Sequence, residues 1–319
     1  MTAEAMGVNE KVNTAMRAAA ANDMKARIVE FIGRAWTEVT PHDESLRAAL
    51  PNYLPAGTSI CVAHPPKTEI RAVLRLSAQL VRLGFEPCPH IAARESYSEA
   101  TLRAVFNELR ESGVTQILLI AGDRKAPAGP YTSAVEILES GLTIDAAIKT
   151  ISVAGHPEGN RTIGPTRLKE ALQGKQAFAD RTGTDVRLVT QFGVNSQAVL
   201  DWVRAIGRQG IRLPVHVGRA GPTPLPKLIR FAGRCGIGAS LNALMRNSSA
   251  LSNMTRLATT PDEMLTGIMS GLTPDLASRI VKPHLFCFGG LTETVGWIKA
   301  VRDGHFAMSV DGEKFDLCA

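Results

Sequence analysis

Apolar residues along this chain fall into short runs that stop abruptly at polar, Gly or Pro residues. Residues 151–160 (ISVAGHPEGN) show the pattern most plainly, and residues 116–123 (QILLIAGD), 187–192 (RLVTQF) and 214–218 (PVHVG) repeat it. Each run is short enough to be a buried strand and hands over to polar residues where a strand would leave a core. Between the runs, apolar positions recur at helical spacing. Met24, Ile28, Phe31 and Ile32 form one stripe behind the cap candidate Asp23; Ile70, Val73, Leu74, Leu80 and Val81 form another that stops near Gly84. Leu102, Val105, Phe106 and Leu109 form a third. Residues 1–22 are Ala-rich and polar without a strong period, which predicts a loosely held arm or frayed helix.

The alternation predicts eight strands, at residues 35–40, 58–63, 86–91, 116–121, 150–154, 187–191, 214–218 and 284–289. Short helical segments are predicted around residues 45–50, 133–138 and 144–148, and longer helices at 165–179, 224–235 and 291–301. Asn195 caps a further helix carrying Val199, Trp202, Val203 and Ile206. The spacing breaks once, over residues 237–282, which are mainly helical in pattern with no convincing strand. Strands without internal polar alternation are buried on both faces and therefore parallel. A (β/α)8 TIM barrel fits this order better than an open doubly wound sheet. Residues 1–34 then form an N-terminal arm and helix, and residues 35–319 the barrel, with a helical insertion before the last strand. A chain of 319 residues with 45% apolar content is large enough for one such core.

Composition narrows the function. The net charge of +6 arises from 36 basic and 30 acidic residues scattered along the chain, which describes a solvated surface with a slight preference for anionic ligands and no nucleic-acid face. The five cysteines, Cys61, Cys88, Cys235, Cys287 and Cys318, form no CxxC pair and no ligand-like Cys/His spacing. Buried free thiols in a reducing compartment are expected, without disulfides or a metal site. No stretch is apolar over the roughly 18 residues a membrane helix requires. The N-terminus lacks a signal-peptide core, so a cytoplasmic protein is expected. The apolar segment 237–282 either packs over the barrel or supplies a contact in a homo-oligomer.

A barrel of this kind carries its chemistry at the C-terminal ends of its strands. In order, the residues there are Glu38, His64, His90, Asp123, His156 with Glu158, Gln191, Gly218 and Gly289-Gly290. Ionisable or amide groups stand at most of the ends, more than capping alone explains. His64, beside prolines, reads as structural, and Asp123 suits an Asx turn as well as catalysis. Glu38 interrupts an apolar strand and points a carboxylate toward the barrel mouth. Partial burial there is expected to raise its pKa and suit it to general-acid work.

From about residue 36 to residue 301 the chain resembles the methylenetetrahydrofolate reductase family, in its short bacterial form consisting of the catalytic barrel. The matching marks are TEVTP (residues 37–41), CPHIAAR (88–94), AGD (121–123), HPEG (156–159) and TQF (190–192), and their order and spacing carry the likeness. The resemblance implies reduction of 5,10-methylenetetrahydrofolate to 5-methyltetrahydrofolate, with NADH or NADPH reducing a bound FAD that passes hydride to the folate. It implies that Glu38 protonates N10 as the five-membered ring opens. It places Asp123 near flavin and pterin, and Gln191, followed by Phe192, at the pterin edge. His90, Gly122, His156, Glu158, Asn160 and Lys175 stand at the cofactor positions.

The departures cluster on the flavin side. The family has Arg before Gly-Asp where this chain has Ala121, Tyr before Pro-Glu where it has His156, and His shortly after where it has Asn160. Ala63 stands for a Thr, and Leu168 for an Asp, while His90 and Lys175 remain. Losing a cationic fork weakens diphosphate binding, since Arg–phosphate contacts are charge-assisted. The expectation is therefore a folate enzyme that binds flavin weakly or not at all and takes hydride from NADH. A folate-dependent methyl transferase component and a non-catalytic folate-binding subunit are the alternatives; a transferase would want a corrinoid partner or a zinc thiolate cluster, and the cysteines offer no such cluster.

Overall fold

The structure is a computed structural model that describes residues 3–43, 48–95, 97–160, 162–234, 258–288, 290–309, 312 and 314–318. After helix α1 (Ala3–Gly33), strand β1 (Trp36–Val39) enters a barrel continued by β2 (Ser59–Val62), α2 (Ile70–Arg82), β3 (Glu86–Ala92), α3 (Glu99–Glu111) and β4 (Gln116–Ile120). Two short helices, α4 (Ala134–Glu139) and α5 (Leu142–Asp145), lead to β5 (Thr150–Gly155), α6 (Pro165–Thr182), β6 (Asp185–Thr190), α7 (Ser196–Arg208), β7 (Val215–Ala220) and α8 (Leu225–Arg234). Helices α9 (Asp262–Gly271) and α10 (Pro274–Ala277) precede β8 (Ile280–Phe286) and α11 (Leu291–Arg302). The eight strands pair in parallel and close, β1 lying between β2 and β8. This is the (β/α)8 barrel that the alternation of the sequence predicts.

Local chemistry explains the element ends. Ser98 and Asn195 cap α3 and α7, each side chain accepting from a backbone N–H three residues on, at Thr101 and Ala198. Gly84 and Gly113 follow α2 and α3 at φ of 84° and 82°, the left-handed conformation that glycine adopts without strain and that lets the chain turn back into a strand. The outer face of each strand packs on the helices: Ile60, Val62, Ile91, Ile117, Leu119, Ile151, Val153, Val186, Leu188, Val215, Val217 and Leu285 belong to one continuous core. The α1 residues Ile28, Phe31 and Ile32 join it.

Four details differ from the sequence reading. The predicted arm is helical from Ala3 onward. The last barrel strand starts at Ile280 rather than residue 284, because Pro283 suppresses a strand signal although its neighbours pair with β7 on both sides. Within residues 237–282, positions up to 257 lie outside the described residues, as do 45–47 of the segment at 45–50; of the rest, Ala258–Thr259 pairs antiparallel with Thr223–Pro224 ahead of two helices of the kind predicted. Finally, β9 (Phe306–Met308) and β10 (Phe315–Leu317) form an unpredicted antiparallel hairpin, sealed by Trp297 and Phe306 against Phe315.

Candidate functional site

The two-residue strand period sends alternate side chains into the barrel, where they form three layers. At the N-terminal end the polar groups partner one another. Gln116 Nε2 donates to Ser59 Oγ at 3.3 Å and to the Glu86 carbonyl at 2.9 Å, and Ser59 Oγ donates to Glu86 Oε2 at 3.2 Å. Thr150 Oγ1 donates to Asp185 Oδ2 at 3.2 Å, and Arg187 Nε to Asp185 Oδ1 at 3.0 Å. Above lies an apolar cluster of Trp36, Cys61, Cys88, Leu118 and Val189, beside the buried Ser152 and His216, whose Oγ and ring nitrogens, like Trp36 Nε1, have no hydrogen-bond partner. Cys61 and Cys88 are in-register neighbours on β2 and β3, and both are free and buried, as is Cys287.

The third layer faces the mouth and is built differently. Glu38, two residues beyond Trp36, shares its inward face and is 13% exposed. Its Oε1 lies 3.4 Å from Nε2 of His90 on β3 and 3.7 Å from Nε2 of His284 on β8. Both nitrogens are buried, and neither has a hydrogen-bond partner. The Cys287 thiol donates to the Glu38 carbonyl at 3.0 Å and tethers the end of β1 to the chain after β8. Among the described residues no group of three or more His, Cys, Asp or Glu side chains is arranged to hold a metal ion.

Electrostatics of this cluster reverse one expectation. Burial pushes the Glu38 carboxyl up, but the His284 contact and the fields of His90 and His284 together outweigh it, and the net direction is below the ordinary carboxylate value. Burial was the only influence legible in the sequence, so the raised pKa predicted from it is corrected here. His90 is driven down to about 4, by burial first and against the pull of Glu38. It is therefore neutral at physiological pH.

An aromatic wall runs outward from the cluster. His284 meets Phe286 edge-on at 4.5 Å, Phe286 lies parallel to Phe288 at 5.6 Å, and Phe288 stacks on Phe231 at 4.3 Å. Phe192 meets Phe288 edge-on at 4.9 Å and is buried with Ala220, Leu225 and Leu228. Phe288 sits at φ 42°, a strained conformation for a bulky residue. Gly218 makes room for the wall: a Cβ there would stand 2.2 Å from the Thr190 carbonyl oxygen and 2.8 Å from the Phe286 ring.

The remaining predicted residues spread along the mouth. Gln191 follows β6, and its N–H donates to the Gly155 carbonyl at 3.0 Å. Gly122 follows β4 at φ 86°, and Asp123 beside it is exposed on the loop. His156, Glu158 and Asn160 lie half-buried on the loop after β5. Asn160 Oδ1 accepts from Thr162 N–H, the Thr162 hydroxyl and Ile163 N–H at 2.8–3.1 Å, so its carbonyl organises that loop. Lys175 on α6 is 5% exposed and donates to the Ala154 carbonyl at 2.8 Å. Burial lowers its pKa to about 8, and burial, then Lys175, lowers that of His156 to about 4. His64, read as structural, places Nε2 2.8 Å from the Thr68 carbonyl.

The structure thus brings Glu38 to His90 and His156 to Lys175, and leaves Asp123 outside both pairs. It adds His284, which the sequence reading placed at the entry of its strand. The missed signal was the two-residue period Lys282, His284, Phe286, which becomes visible only when the strand is started before Pro283.

No protein-family model matches the chain. Among solved structures it is similar to a mutant tryptophan synthase alpha-subunit from the hyperthermophile Pyrococcus furiosus, with 14% identity, 85% of this chain and 97% of that chain covered, and a TM-score of 0.47. It is similar also to dihydropteroate synthase (FolP) from Thermus thermophilus, with 14% identity, 83% and 92% coverage, and a TM-score of 0.42. Likeness this distant carries no argument about activity, and the barrel rests on the closed strand pairing of the chain itself.

Proposed function

We propose that this barrel reduces 5,10-methylenetetrahydrofolate to 5-methyltetrahydrofolate with NADH or NADPH. The observation that carries the reading is Glu38: an inward carboxyl at the mouth, nearly enclosed, with two partnerless imidazole nitrogens aimed at one of its oxygens. A carboxyl at the edge of a cleft that takes up a solvent proton before ring opening suits general-acid work at a substrate nitrogen. The Glu38 carboxyl gives its proton to N10, and the C–N10 bond breaks with its electron pair going to nitrogen. The N5 methylene iminium left behind accepts hydride from the nicotinamide, giving the N5-methyl group and NAD(P)+. One proton and one hydride are consumed per turnover. Phe286 and Phe288 offer a flat apolar flank for planar rings, and Gln191 a hydrogen-bonding edge for the pterin.

The resembled family routes hydride through FAD, and the residues here fit a flavin diphosphate poorly. Ala121 supplies no cation, the Lys175 ammonium is buried against the Ala154 carbonyl, and the Asn160 carbonyl is committed to its own loop. The reading is therefore direct hydride transfer from the nicotinamide. The test is NAD(P)H oxidation by purified protein, strictly dependent on methylenetetrahydrofolate and lost in Glu38→Gln. Folate binding without oxidation would replace this reading with that of a non-catalytic folate-binding subunit, and a stoichiometric flavin band in the visible spectrum would overturn the flavin-free route.

A further inference from the structure

Phe286 and Phe288 of the aromatic wall lie parallel at 5.6 Å and are separated in the chain by Cys287 alone. Cys287 belongs instead to the buried outer core between strands and helices. Its thiol donates to the Glu38 carbonyl at 3.0 Å. The residue between the two wall rings is therefore the one that grips the backbone of the acid.

The grip falls where strand pairing runs out. The β1–β8 pairing that closes the barrel joins Trp36 to His284 and Thr37 to Leu285, and it stops one residue short of Glu38. On the other side Glu38 is in register with Cys61 of β2. Toward β8 the thiol takes the place of the next ladder bond. Cys287 is itself fixed: its carbonyl accepts from the Gly290 N–H at 2.7 Å, and the Thr37 hydroxyl, which donates to the Leu285 carbonyl at 3.3 Å, stands 3.1 Å from its sulfur. Burial pushes the thiol up to about 12, so it keeps its proton and its donor role at neutral pH.

We propose that Cys287 is a positioning residue for the acid: by holding the Glu38 backbone to the segment that carries Phe286 and Phe288, it fixes the distance between a ring seated on the wall and the carboxyl that protonates the substrate. This rests on the reductase reading above. Proton transfer requires the carboxyl within hydrogen-bond reach of the substrate nitrogen, and a misplacement of about 1 Å costs up to ~10²-fold in rate. A buried cysteine otherwise serves as a small apolar filler. The two roles make opposite demands on a replacement, since positioning needs a hydrogen-bond donor and filling needs apolar volume.

Two measurements on the full chain test the proposal, with thermal unfolding confirming the fold of each variant. In the first, methylenetetrahydrofolate-dependent NAD(P)H oxidation is assayed in Cys287→Val, which removes the donor and keeps an apolar side chain, and in Cys287→Ser, which keeps a donor. The expected result is a fall in kcat of ~10-fold in Cys287→Val with KM for folate little changed, because the wall stays in place, and a kcat within about threefold of wild type in Cys287→Ser. Wild-type kcat in Cys287→Val, or a fall in Cys287→Ser as deep as in Cys287→Val, overturns the positioning role. In the second, the infrared S–H stretch of Cys287 is isolated as the difference between wild type and Cys287→Ser, in which the other thiols cancel. A band lowered from the free-thiol frequency is expected, because donation to a carbonyl weakens the S–H bond. A band at the free-thiol frequency overturns the tether whatever the activity, whereas a lowered band in a protein without reductase activity sinks the reductase reading, and the acid's role with it, while the tether stands.

Discussion

The two ends of the barrel interior handle polar groups in opposite ways. At the N-terminal end, Ser59, Glu86, Gln116, Thr150, Asp185 and Arg187 close a set of hydrogen bonds among themselves. At the C-terminal end, two imidazole nitrogens sit buried without partners around a carboxylate. An unsatisfied buried polar atom costs ~1–3 kcal/mol, and Trp36 Nε1, Ser152 Oγ and both ring nitrogens of His216, between the two ends, carry the same cost. The hydrogen-bonded end ties neighbouring strands together, whereas the Glu38 carboxylate and His90 Nε2 at the mouth lack such bonds.

Substitutions at the two ends should therefore separate activity from stability. The largest effect belongs to Glu38→Gln, expected to lower kcat by ~10²–10⁴-fold while leaving chemical-denaturation stability nearly unchanged. Loss of stability equal to that of a core mutation would show Glu38 to be structural. Next comes pH. His90 takes a proton at 6.5 by its ordinary value but only at about 4 in the fold, so between these values the unfolded chain binds more protons and stability falls as pH is lowered. The gap corresponds to about 3 kcal/mol, absent above pH 6.5 and complete below pH 4. In His90→Gln, denaturation curves should flatten across that window, leaving the loss attributable to Glu38 at lower pH, where its depressed carboxyl takes up a proton.

Gly218→Ala tests whether the mouth depends on close packing of the aromatic wall. Its new Cβ meets a backbone oxygen that has little room to retreat, so a loss of ~1–3 kcal/mol in stability is expected, with a rise in folate KM as Phe286 is displaced. The smallest effect on turnover should come from the satisfied end. Gln116→Ala removes the bonds to Ser59 and the Glu86 carbonyl and should cost ~1–3 kcal/mol in urea denaturation with kcat at the wild-type level. A drop in kcat in that folded variant would break the separation between the two ends.

Much of this was legible in the residues. Seven strands fall where apolar runs end at polar residues, and β8 was displaced by its internal Pro283. Glu38 could be singled out because a carboxylate inside an apolar strand has few structural uses. His90 was read through the Pro-His motif of the resemblance. His284 escaped because its strand start was misplaced, and the hairpin of β9 and β10 because three-residue strands carry too little alternation to stand out.

The sequence by itself determined the order of elements and the face each strand residue takes, since these follow from periodicity over a few neighbours. Tertiary structure alone decided which inward residues meet. Glu38, His90 and His284 lie on three strands and converge because the barrel closes between β1 and β8, a long-range pairing with no local signature. It also decided the sign of the Glu38 shift. Burial is a property of one residue's surroundings and can be guessed, whereas the field of two imidazoles at 3.4 and 3.7 Å exists only once distant strands are side by side.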